Sequence, residues 1–106
     1  MTRENEIRRV TAQGKRIRTG HLEVRALASP LLHPRMGFVV PRFGHSAVER
    51  NRLKRRLREI VRTKFLGTLP VADLVIRARP EAYATKLSIL TDELHQLVQA
   101  VAKLAL

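Results

Sequence analysis

The chain has 106 residues and carries 21 lysines and arginines against 9 aspartates and glutamates, a formal net charge of +12. That length fits a single domain spanning residues 1–106, and 44% hydrophobic residues suffice for a modest core. Cysteine is absent, which excludes a disulfide framework, a thiolate nucleophile and a Cys-based zinc site. No apolar run approaches the about 18 residues of a membrane span, and Met1-Thr2-Arg3-Glu4-Asn5-Glu6 lacks a signal-peptide pattern, so a cytoplasmic protein without a membrane partner is expected.

In chain order, Arg3 to Gln13 predicts a short helix with Ile7 and Val10 inward and Gly14 as its stop. Gly14-Lys15-Arg16 reads as a turn. Gly20 to Leu27 alternates, with Leu22, Val24 and Ala26 on one face and His21, Glu23 and Arg25 on the other, which predicts a half-buried strand. Ser29 to Arg35 is turn material. Gly37-Phe38-Val39-Val40 is a short apolar strand ended by Pro41. Ser46-Ala47-Val48-Glu49 matches a capping box, so a helix starts there and runs to about Phe65, before Gly67 and Pro70. Ala72 to Arg77 predicts another strand. From about Thr85, the spacing of Leu87, Leu90, Leu94, Leu97, Val98 and Val101 predicts a second amphipathic helix. The expected class is α+β, in the order α-β-β-α-β-α, with helices packed on a small mixed sheet.

The positive charge is localised. Pro41 to Lys64 holds nine basic residues against two acidic ones, whereas Phe65 to Leu106 holds four of each. At about 100° per residue, Leu53, Leu57, Ile60 and Val61 share one arc of the basic helix, while Asn51, Arg55, Arg58 and Arg62 occupy the opposite arc. Arg52 and Arg56 line one flank, and Lys54 sits toward the other. A charge run is usually just a solvated face. Here only Glu49 and Glu59 are available for i,i+4 relief, so like charges repel. Between Arg50 and Lys64 there are six arginines and two lysines, and arginine's planar fork suits bidentate phosphate contacts and base stacking. A polyanion-binding face follows. A DNA-reading helix would ordinarily come with a helix-turn-helix or a dimer seam; a helix on a sheet fits RNA better.

Other chemistry is thinly represented. His21, His33, His45 and His95 show no metal-ligand spacing, and Glu4, Glu6, Asp92 and Glu93 all fall where exposed helix residues would lie. Clustered carboxylates for a two-metal nuclease site are missing, as are phosphate-loop and dinucleotide fingerprints. Tyr83 is expected to serve packing or capping. The leucine-rich face of the last helix is expected to be core.

Gly37-Phe38-Val39-Val40, followed by the run Ala47-Val48-Glu49-Arg50-Asn51-Arg52-Leu53-Lys54-Arg55-Arg56-Leu57-Arg58, resembles the protein subunit of bacterial ribonuclease P. That family's hallmark is an R-N-R helix after a G-(apolar)3 strand and an A-V pair. Val75-Ile76-Arg77-Ala78-Arg79-Pro80 is similar to its strand ending in an A-R-(K)-P turn, and Gly14-Lys15-Arg16 fits its turn before the first strand. The resemblance runs from Ile7 to Val98. It implies an endoribonuclease ribonucleoprotein whose RNA carries the catalytic site and most of the Mg²⁺, and which removes the 5′ leader of precursor tRNA. The protein would be monomeric, one per RNA, and would contribute no catalytic residue. By position, Arg50, Asn51, Arg52, Lys54, Arg55, Arg58 and Arg62 would face the catalytic RNA. The leader would cross the sheet and first helix, with Arg25, Arg42, Phe43 and Arg77 as contacts. The family fold also implies a left-handed βαβ crossover, against the usual hand.

Two departures stand out. The family's aromatics at the positions of Ile7 and Thr11 are missing. The basic pair before the capped helix becomes Arg42-Phe43, with Gly44 one place early, and Phe43 is either a stacking surface or, as expected here, a half-buried core residue. The residues alone also leave open a structural RNA-binding protein with no catalytic partner and, more distantly, a DNA-binding module.

Overall fold

The computed structural model describes residues 4–104, with Leu66 described by its backbone alone. Helix α1 (Glu4–Gln13) leads into strands β1 (Lys15–Arg18), β2 (Leu22–Ala28) and β3 (Arg35–Val39). Helix α2 (Ala47–Ile60) widens into a π-helical turn at Val61–Phe65 and a 3₁₀ turn at Leu66–Thr68; strand β4 (Ala72–Ala78), a 3₁₀ turn at Pro80–Ala84 and helix α3 (Leu87–Ala102) complete the chain. The sheet order is β1-β2-β4-β3. β2 pairs antiparallel with β1 and β4, whereas β3 runs parallel to β4, so α2 is the crossover of a βαβ unit.

The expected class holds, but the order gains a strand. β1 occupies the segment read as a turn. Its sequence Lys-Arg-Ile-Arg offers one apolar residue, too little for an alternation signal, and it is a strand because its backbone pairs with β2 from Lys15↔Ala26 to Arg18↔Glu23. Arg3, expected at the start of α1, lies outside the described residues.

The two faces of the sheet have different fates. Leu22, Val24 and Ala26 of β2 join Leu74, Ile76 and Ala78 of β4 on one face, buried beneath Leu53, Leu57 and Ile60 of α2 and Leu90, Leu94, Leu97 and Val101 of α3. The α2 stripe is where its periodicity put it. Leu87, expected to be inward, is exposed instead, because it opens α3 before the helix has crossed onto the sheet. The other face carries Glu23, Arg25, Asp73, Val75 and Arg77 by strand alternation, and α1 lies on it, burying Val10. Gly14 permits the close approach: a Cβ there would sit 2.5 Å from the Val10 carbonyl oxygen and 3.1 Å from the backbone of Ala26.

Three acids read as exposed or passed over are buried. Glu23, read on the outward face of a half-buried strand, is buried with Arg16 3.6 Å away. Glu93 accepts from the backbone N–H of His21 at 2.8 Å and pairs with Thr19 and the His21 ring, tying α3 to the β1–β2 turn. Asp73 is fully buried and accepts from Arg35 Nε and Nη2 at 2.9 and 2.7 Å and from Arg9 Nη2 at 2.6 Å. Arg35 also donates to Glu6 at 2.7 Å. A buried carboxylate needs such partners, and here they pin α1 to the sheet. The Arg35 hydrogen bond, aided by the Arg35 and Arg9 charges, holds the Asp73 carboxyl below the usual aspartate range despite the opposing effect of burial.

Candidate nucleic-acid interface

Helix α2 starts where the capping box places it. The backbone N–H of Glu49 donates to Ser46 Oγ at 3.1 Å, and Ser46 N–H donates back to Glu49 Oε1 at 3.1 Å. His45 adds Nδ1 to Glu49 Oε2 at 2.8 Å. The His45 contact and then the Ser46 hydrogen bonds pull the Glu49 carboxyl down to about 2. The cap is therefore anionic at any physiological pH, which suits a helix N-terminus.

Beyond the cap, α2 divides into an outer ridge and two flanks. The ridge bears Asn51, Arg55, Arg58 and Arg62, all exposed. Arg62 is paired with Glu59, but Arg55 and Arg58, like Arg52 and Arg56 on one flank, have no acidic partner among the described residues. On the other flank Arg50 is held in place by donating through Nε to the Val40 carbonyl at 2.9 Å and through Nη1 to Asn51 Oδ1 at 3.1 Å. Lys54 stands beside it. Its partial burial, with the Arg50 and Arg58 charges one turn to either side, lowers its pKa. An approaching polyanion would relieve that repulsion.

The Arg50–Lys54 flank faces a groove of about 550 Å³ walled by Glu4 and Ile7 of α1, by Phe38 and Val39 of β3 with Val40 and Pro41 after it, and by Arg77 of β4. The structure thus brings Arg50 and Lys54, expected to face the catalytic RNA, and Arg77, expected to contact the leader, into one depression. Arg77 is exposed on its strand. Arg25 is placed otherwise: it lies under α1, and its Nη1 donates to the Thr11 carbonyl at 2.6 Å, so it supports the helix that walls the groove. Ile7, where an aromatic was expected, still gives that wall an apolar surface.

Arg42 and Phe43 project from a tight turn. His45 N–H donates to the Arg42 carbonyl at 2.9 Å, and Phe43 and Gly44 adopt φ of 49° and 88°, a type I′ arrangement in which both central residues are left-handed. Phe43 is 46% exposed, which corrects the expectation of a half-buried core residue. Glycine suits the second position; phenylalanine at the first is strained by its Cβ. Tyr83, packed as expected against the core, donates from its hydroxyl to the Pro41 carbonyl at 2.6 Å and stacks on His45 with ring centroids 3.9 Å apart, so the turn is stitched to the segment after β4.

Among the described residues, no three His, Asp or Glu side chains are grouped to hold a metal ion, and no helix is long and apolar enough to cross a membrane.

Comparison with known proteins agrees with this geometry. The ribonuclease P family profile matches residues 1–102. The chain is 43% identical over 79 residues to the ribonuclease P protein component of Syntrophobacter fumaroxidans, covering 74% of this chain and 66% of that protein. It is 41% identical over 69 residues to the Brucella suis counterpart, covering 64% and 49%, and 36% identical over 94 residues to that of Roseiflexus, covering 89% and 75%. It thus spans from about half to about two thirds of the length of the first two relatives. The fold matches the RNase P protein of Staphylococcus aureus with a TM-score of 0.84 at 22% identity, covering 97% of this chain and 94% of that one. It matches the RNase P protein from Thermotoga maritima with a TM-score of 0.83 at 25% identity, covering 98% of each. With an R-N-R helix, a mixed four-stranded sheet and a profile match along nearly its whole length, the chain belongs to the ribonuclease P protein family.

Proposed function

We propose that this chain is the protein subunit of ribonuclease P, docking a catalytic RNA with α2 and guiding the 5′ leader of precursor tRNA into the groove beside it. The observation that carries this reading is the continuity of the uncompensated α2 ridge with the groove walled by Arg50, Lys54 and Arg77. Phosphates of a folded RNA would meet Arg55, Arg58 and Arg52 with Asn51 between them, and Arg62 only after leaving Glu59. A single strand entering the groove would place its backbone near Lys54 and Arg77 and its bases against Ile7 and Val39. Arg25 supports this by holding α1, and Phe43 with Arg42, on the turn that follows the groove-lining Pro41, offers an exposed stacking and phosphate contact. Groups of this kind bind and orient; cleavage belongs to the RNA in this proposal, as does the Mg²⁺. The described residues form no ligand cluster for that ion. One monomeric protein per RNA in the cytoplasm completes the reading.

The test is reconstitution with a cognate ribonuclease P RNA at low Mg²⁺. The expected result is faster 5′ maturation of precursor tRNA than with RNA alone, and tighter binding of leader-bearing than mature tRNA. An RNA-binding protein without a catalytic partner would bind folded RNA and leave cleavage unchanged.

A further inference from the structure

On the flank of α2 opposite the groove lies a second, smaller pocket. Glu49, Arg52, Leu53 and Arg56 line it from the helix and Tyr83 closes it from the turn after β4, with a volume of about 220 Å³. That is roughly seven water volumes, room for one nucleobase and too little for a base pair. Arg52 and Arg56 are spaced i,i+4, so both guanidinium groups reach the same side of the helix. Each carboxylate oxygen of Glu49 already accepts one hydrogen bond, from Ser46 or His45, and each can accept another. Tyr83 is fixed by its hydroxyl and by the His45 stack, so this wall is formed before any ligand arrives.

A bare phosphate would suit the arginines and be repelled by Glu49. A base fits all of the lining if it offers paired acceptors to a guanidinium fork and paired donors to a carboxylate. Guanine does both: O6 and N7 lie on one edge, and N1–H and the 2-amino group lie on the next. Cytosine offers a carboxylate only its amino group, adenine offers no paired acceptors on that edge, and uracil has a single donor. We infer that this pocket holds one unpaired guanine of the RNA that α2 docks, with the Arg52–Arg56 side on O6 and N7 and Glu49 accepting from N1–H and the 2-amino group. The inference rests on the RNA-docking reading of α2. The pocket is continuous with the ridge through Arg52, which also lines the shallow depression formed with Asn51, Arg55 and Val48. It therefore belongs to the RNA on the ridge and not to the leader in the groove.

Tyr83 is the only tyrosine and there is no tryptophan, so intrinsic fluorescence reports on this wall alone. GMP added to the full-length chain is expected to change Tyr83 emission saturably, binding about tenfold more tightly than CMP, AMP or UMP, the discrimination of one bidentate base contact. Arg56→Ala and Glu49→Gln should each remove that preference; glutamine at this position retains a capping box, so the helix start is preserved. Equal responses to all four nucleotides, or full displacement of GMP by equimolar inorganic phosphate, would overturn the inference while leaving RNA docking by the ridge intact. In the reconstituted enzyme, Arg56→Ala should weaken assembly with the catalytic RNA without altering the preference for precursor over mature tRNA. A changed preference would move the base to the substrate and equally defeat the assignment.

Discussion

The outer ridge of α2 and the α1-covered face of the sheet are both rich in arginine, yet they spend it differently. Under α1, Arg9 and Arg35 converge on Asp73, Arg35 also reaches Glu6, and Arg25 donates to the Thr11 carbonyl. On the ridge, Arg55 and Arg58 face solvent without an acidic partner among the described residues. Counting charges does not distinguish the two regions; pairing does. Paired arginines position an element, and unpaired ones in a fixed array are available to a polyanion.

That contrast can be broken at several points. Leu57→Ala should have the largest effect, destabilising the fold by about 2–5 kcal/mol in chemical denaturation, because Leu57 is fully buried under the ridge. An unchanged midpoint would mean that α2 does not rest on the core through this face. Asp73→Asn should cost about 3 kcal/mol by removing the buried carboxylate that Arg35 and Arg9 share, leaving Arg35 with Glu6 alone, and hydrogen exchange should show α1 loosened well before α3; uniform loosening would deny α1 its separate anchor. Arg58→Ala should weaken catalytic-RNA binding by about 1–3 kcal/mol with no loss of thermal stability, and the affinity should fall steeply with salt as counterions are released. A salt-insensitive complex would contradict an electrostatic ridge. Phe43→Asn should stabilise the free protein by about 1 kcal/mol, since asparagine tolerates the left-handed conformation, while weakening binding of precursor more than mature tRNA. Equal loss on both would remove Phe43 from the leader path.

The pH dependence follows from Asp73. Its folded pKa is depressed, so its contribution is fully present above the unfolded aspartate value of about 4 and is lost as pH falls through the lower folded value. Acid should therefore release α1 in the wild type, and Asp73→Asn should abolish that dependence. A mutant with the wild-type acid profile would assign the transition to another carboxylate.

Much of this was legible beforehand. The capping box at Ser46 fixed the start of α2, and apolar periodicity separated Leu53, Leu57 and Ile60 from Asn51, Arg55 and Arg58. The strand alternation of Leu22, Val24 and Ala26 held. What escaped were features set by partners distant in sequence. β1 is held by pairing that its four residues cannot announce. Glu93 looked like a solvated helix acid because its partners, Thr19 and His21, lie more than 70 residues away. Asp73 did carry a signal: an acid inside an apolar strand must find a cation. Phe43 was misplaced because nothing local shows that Arg42 and His45 close a tight turn around it.

By itself the sequence determined that one helix would carry a core stripe and a cationic array, since a 3.6-residue period and a local cap are properties of neighbouring residues. Only the tertiary structure decided which arginines remain free. It set Arg50 and Lys54 across a groove from Arg77, placed Arg52 and Arg56 opposite Tyr83, and tied Arg9 and Arg35 to the buried Asp73. Ion pairing and burial depend on which segments meet in space.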